Sequence, residues 1–133
     1  MSRSLLKHFL WLAVVGLAAG CANGDRQLQS LSISPATATA NGSPVQFTAT
    51  GHWSESPTTV TPQAATWVAC TATDAPTTDA TISSAGMATC ASGAKGTYEV
   101  YAWDPRPGPA CTAIPACGGG CEAIIATAQI TCP

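Results

Sequence analysis

Charge is what this sequence has least of: Lys and Arg number 5, Asp and Glu number 7, and together they make up 9% of 133 residues. No basic cluster occurs anywhere. Phosphate backbones are held by Lys and Arg in number, so nucleic acid is excluded as a partner. No apolar run approaches the roughly 20 residues that a membrane-spanning helix needs. The run at the N-terminus, Phe9 to Ala19, stops at eleven. No segment beyond residue 21 combines helical periodicity with capping residues. Histidine is scarce, with only His8 and His52, so no histidine cluster can hold a metal. The C-x-x-C spacing of redox and zinc motifs is missing as well. With so few charges, the polar surface must be carried by Thr, Ser, Gln and Ala, which suits an exposed sheet.

The N-terminus reads MSRSLLKHFLWLAVVGLAAGC. A short basic leader (Arg3, Lys7, His8), an apolar run and closing small residues form the layout of a secretory signal peptide. Its end, LAAGC at 17–21, resembles a bacterial lipobox, with Ala18 where that family usually has Leu. The resemblance implies that residues 1–20 are removed and that Cys21 is lipidated, so the partner is a membrane, reached through a lipid anchor. It also implies a cell-envelope location, the outer membrane if the source is Gram-negative, because Ala22 and not Asp follows the cysteine. Residues 21–27 then form a short tether, and 28–133 form one domain. Three basic and seven acidic side chains between Cys21 and Pro133 give that part a net charge of −4.

The chain has seven cysteines, at 21, 70, 90, 111, 117, 121 and 132. Setting aside a lipidated Cys21 leaves six, an even number in an exported domain, where disulfides persist.

From residue 28 onward, short β-favouring runs are separated by Gly, Pro and Asn. They predict strands at 28–34, 44–51, 64–70, 80–83, 87–91, 96–103 and 122–132, with turns at Asn41-Gly42 and at 84–86. About seven short strands predict an all-β immunoglobulin-like β-sandwich, stapled by disulfides. Period-2 patterning turns Tyr98, Val100 and Ala102 toward the core, and Glu99, Tyr101 and Trp103 away from it. Trp67 is the expected central core residue, packed on Phe47 and Val100. The Tyr98-x-Val100 spacing looks like a tyrosine corner with valine at the usual cysteine position, so the antibody-type disulfide is expected to be absent. LSISP (31–35), GSPVQFTATG (42–51), VTPQAATW (60–67), ATISSAGMAT (80–89), GTYEVYA (96–102) and ATAQIT (126–131) together resemble the bacterial immunoglobulin-like domains of group 2. That resemblance implies a non-enzymatic binding or adhesion module.

Residues 104–121, DPRPGPACTAIPACGGGC, lie where that family has a short turn, and form an eighteen-residue insert. Cys70, Cys90, Cys111, Cys117, Cys121 and Cys132 are the disulfide candidates. Six cysteines allow 15 pairings, and Cys70–Cys90 is the one favoured. Strand topology puts Cys70, Cys90 and Cys132 at one end and the insert at the other. Either the insert folds back along the sheet or the strand ends are shifted. The spacing C-x5-C-x3-C could also hold a metal or run thiol chemistry, but disulfides fit the compartment better, and neither cofactor nor metal is expected. His52, Ser54 and Glu55 are too close in sequence to form a triad, which is assembled in space. Trp53, Tyr101 and Trp103 are the expected binding surface, for an envelope protein or a glycan. The alternatives are a structural envelope component without a dedicated ligand, and a thiol or metal site in the insert.

Overall fold

A computed structural model describes residues 26–104, 117 and 124–133. Among them every regular element is a strand: β1 (Leu28–Ser34), β2 (Thr37–Thr39), β3 (Val45–Gln46), β4 (Thr48–Trp53) and β5 (Thr59–Val60). There follow β6 (Thr66–Thr71), β7 (Ala80–Ile82), β8 (Met87–Cys90), β9 (Gly96–Trp103) and β10 (Ile125–Cys132). The expected signal peptide, Cys21, Cys111 and Cys121 lie outside the described residues, as does the expected insert apart from Asp104 and Cys117.

The ladders run β1–β4–β5, β3–β8–β7 and β2–β10–β9–β6. Only Phe47 separates β3 from β4, so the first two ladders join into one layer in the order β1, β3/β4, β8, β7. That layer faces the four-stranded sheet, and the result is an all-β immunoglobulin-like sandwich. The expected strands 28–34 and 96–103 coincide with β1 and β9. The expected 44–51 is divided, because the chain pairs with β8 before Phe47 and with β1 after it. Strand β2 was not expected. It forms where the chain leaves β1, crosses to the other sheet and runs parallel to β10, Ala38 opposite Ile130. The two-residue β5 was not expected either.

Alternation explains the layers. Tyr98, Val100 and Ala102 on β9, and Ala126, Ala128 and Ile130 on β10, are buried between the sheets. Phe47 meets them from the other layer and is 0% exposed. Trp67 does not hold the central place expected of it. It is only partly buried and packs against the rim of the core, while the smaller Phe47 fills the middle. On the outer faces, hydroxyl pairs take the place of ion pairs: Thr81 with Thr89 at 2.9 Å, Thr97 with Thr131 at 3.2 Å, and Thr50 with Thr61 at 2.7 Å. Such cross-strand pairs are a normal unit of sheet stabilisation, and they show how so uncharged a chain keeps a polar surface.

Two turns fix the frame. Gly86 ends the 83–86 turn at φ +79°, and a Cβ there would stand 2.3 Å from the Phe47 carbonyl oxygen. Glycine is therefore required both by conformation and by space. The Phe47 N–H donates to the Gly86 carbonyl at 2.8 Å, so this turn seats the main core residue. At the entry to β9, the Tyr98 hydroxyl points at the Lys95 carbonyl (3.2 Å) and at Asp79 Oδ2 (3.1 Å). The bond back to a carbonyl three residues upstream is that of a tyrosine corner.

Candidate binding surfaces and the cysteine staples

The two disulfides among the described residues are Cys70–Cys117 and Cys90–Cys132. The expected Cys70–Cys90 pair is therefore not formed, and strand parity gives the reason. On β8, Cys90 follows Ala88 on the inward face, and on β10, Cys132 follows Ile130 on the inward face. The two sulfurs meet between the layers and staple one sheet to the other. Cys70 lies directly opposite Glu99, so it shares the outer face of its sheet with Tyr101 and Trp103. Facing away from the other layer, it cannot reach Cys90. Its partner is Cys117, so part of the chain between Asp104 and Ile124 is held against this outer face. That position is four rungs along the β6–β9 ladder from Thr66 opposite Trp103, a return of roughly 13 Å. Of the two arrangements left open by the sequence, Cys117 follows the one in which the chain folds back.

This placement decides the fate of the three expected surface aromatics. Trp103 points outward as its parity requires, yet it is only 4% exposed. Like Cys70, it is buried outside the core that lies between the sheets. It therefore cannot be part of an exposed recognition surface. Tyr101 is partly exposed, but its hydroxyl is occupied, donating to Asp74 Oδ1. Trp53 is not in a loop: it ends β4, opposite Leu28, and packs on the core. Its indole N–H donates to Gln63 Oε1 at 3.2 Å, and the Arg26 guanidinium stacks 4.3 Å from its ring centroid. The three residues do not form one patch. Ser54 and Glu55, beside His52, serve structure: the Ser54 hydroxyl accepts the Gln27 N–H at 3.0 Å, and the Glu55 carbonyl accepts from Arg26 Nε at 3.2 Å. His52 Nε2 lies 3.5 Å from Ser32 Oγ on an exposed face.

The tyrosine environments have a measurable consequence. The hydrogen bond to Asp74, then burial and the charge of Asp74, push the Tyr101 phenol up to about 12. Burial, followed by the Asp79 carboxylate, raises Tyr98. Both shifts favour the neutral phenol in the fold. The stability they contribute is complete below pH 10 and is lost as pH rises toward about 12. The chain has only two tyrosines, so phenolate absorbance should show no normal titration near pH 10 in the native protein. Both should return to ordinary values in denaturant.

A feature the sequence did not announce is an open groove of about 460 Å³ along the edge where β3/β4 and β6 face each other. Pro62, Trp67 and Ala85 form its apolar wall, and Gln46, Gln63 and Ser84 supply polar groups; no charged residue lines it. Both amides are held in place. Gln46 Nε2 donates to the carbonyls of Phe47 (2.6 Å) and Ala85 (2.8 Å), and Gln63 Nε2 donates to Ala64 (3.2 Å). The volume falls within the roughly 300–1,000 Å³ of small-ligand clefts. The only sequence signal for it was Trp67, an aromatic too large to be covered so close to an edge strand.

In class, then, this is an immunoglobulin-like sandwich that carries, among the described residues, one staple between its layers and one on its outer face. Compared with known proteins, it matches no family model and no curated protein.

Proposed function

We propose that this chain is a bacterial lipoprotein, held in the cell envelope by lipid on Cys21, whose domain is a non-enzymatic binding module related to the group 2 immunoglobulin-like domains. The observation that carries the reading is the cysteine distribution. Cys21 alone stands directly behind the apolar leader, and four of the other six form disulfides, bonds that persist outside the cytoplasm. The pairing of Cys117 with Cys70 also takes the middle cysteine from the C-x5-C-x3-C spacing, which weakens the thiol or metal alternative. The ligand surface moves from the three aromatics to the uncharged groove beside Trp67, suited to a neutral segment of an envelope protein or glycan. The burial of Trp103 favours, as a second reading, a structural envelope component.

The test is the intact mass of the protein extracted from membranes, with thiol labelling before and after reduction. The expected result is acyl mass on the Cys21 peptide and no labelling until reduction. A soluble, unacylated product, or freely labelled thiols, would overturn the reading. Crosslinking in intact cells then separates a binding module from a structural one. Ala85→Trp, which fills the groove from its exposed rim, should abolish the crosslinked product if the groove binds, and leave it unchanged if it does not.

A further inference from the structure

Arg26 and Gln27, the first residues described, are not free. Arg26 stacks on Trp53, donates from Nε to the Glu55 carbonyl at 3.2 Å, and donates from Nη2 to the Pro57 carbonyl. Gln27 exchanges two hydrogen bonds with Ser54, its N–H to the hydroxyl (3.0 Å) and its carbonyl from the Ser54 N–H (2.8 Å). Trp53 N–H closes the same corner by donating to the Thr58 carbonyl at 2.8 Å. Five contacts thus clamp residues 26 and 27 onto the β4–β5 connection. The residues between Cys21 and Arg26 span at most about 18 Å when fully extended.

The corner lies at one end of the sandwich. From Val45 to Trp53 the β3/β4 strand runs about 26 Å at ordinary strand rise. Beyond its Val45 end lies Cys90, two residues past the Ala88 that pairs with Val45. Cys132, bonded to Cys90, closes β10 at that same far end. Thr66, Trp103 and Ile125 sit at the opposite end of their ladder, next to Asp104 and Ile124, where the insert leaves and rejoins the sheet.

Resting on the anchoring reading above, we infer that the Arg26–Pro57 corner lies against the headgroup layer of the membrane that holds Cys21, and that the Cys90–Cys132 end points away. The corner carries one cation, Arg26, and one anion, Glu55. Its approach is therefore set by the short tether and the clamp, not by attraction to charged lipid. Two consequences follow. Asp104 and Ile124, where the insert leaves and rejoins the sheet, face the membrane side, and the stapled end is the one farthest from that membrane.

The experiment uses the full lipidated protein, reconstituted in phosphatidylcholine bilayer discs doped with a gadolinium-headgroup lipid. Amide relaxation enhancement should be strongest at Arg26, Gln27 and 53–58, and should fall several-fold toward 88–96. Inserting a Gly/Ser spacer of about twenty residues after Ala22, which adds roughly 25 Å of mean reach, should erase that gradient. A flat profile with the native tether overturns the inference, as does enhancement strongest at 88–96 or spread along one sheet face. Protein that carries no lipid and does not associate with the discs overturns the anchoring reading and this inference together. Associated protein without the gradient overturns the inference alone.

Discussion

Truncating Phe47 to alanine is expected to lower stability by about 3–5 kcal/mol, the range for removing a buried aromatic from a core. Three features place it at the top of that range. Its side chain is fully buried. It stands at the point where the chain changes partners between β3 and β4, so no neighbouring strand can slide to fill the space. The Gly86 turn is bonded to its backbone, which limits collapse of the cavity. A small domain has ~5–15 kcal/mol in total, so the variant should sit close to the unfolding threshold. Denaturant titration of the oxidised protein, followed by tryptophan fluorescence, measures the difference. Trp67→Ala serves as the comparison. Its ring is partly exposed at the groove, and it should cost clearly less despite being larger. An equal or greater loss at Trp67 would restore it as the centre of the core.

Removing the inter-sheet staple is the second large effect. Cys90 and Cys132 are 42 residues apart, and closing a loop of that length restricts the unfolded chain by about 4 kcal/mol in the chain-entropy model. The double variant Cys90→Ala/Cys132→Ala should therefore melt roughly 20 °C lower, taking about 4–8 °C per kcal/mol for a domain of this size. The Cys70–Cys117 bond closes a similar loop of 47 residues but lies on the outer face of one sheet. Its loss should free the neighbourhood of Trp103 before it loosens the two layers. Calorimetry gives the first number. Acrylamide quenching of tryptophan in Cys70→Ala/Cys117→Ala should reveal the second, through a newly accessible indole.

Much of this arrangement was readable from alternation. β9 alternates from Tyr98 to Ala102 and β1 from Leu31 to Ser34, and the limits of both strands coincide with expectation. The break at Phe47 was not readable, because nothing local causes it: the residue belongs to an unbroken β-favouring run, and only the change of neighbour divides the ladder. β2 and β5 exist because longer strands offer them free edges. The Cys90–Cys132 pair was in principle legible, since Ala88-x-Cys90 and Ile130-x-Cys132 both put the cysteine on the core face. The partner of Cys70 was not, because parity shows only that it faces outward. The same limit applied to Trp103. Alternation gave its direction correctly, but direction does not say whether a surface is covered. Trp67 and Phe47 share inward parity, and side-chain size favoured the wrong one, because distance from the sheet edge depends on strand order.

The β1–β4 ladder has a mechanical meaning that equilibrium stability does not capture. Six residue pairs, from Leu28–Trp53 to Ser34–Thr48, hold β1 in register, and their hydrogen bonds lie across the strand direction. Were the domain held by the proposed lipid anchor and gripped at its stapled end, tension would enter through residue 26 and run along β1. That geometry loads the rungs in shear, all together, instead of peeling them one by one. The strand that follows the proposed anchor is thus also the element best arranged to carry force.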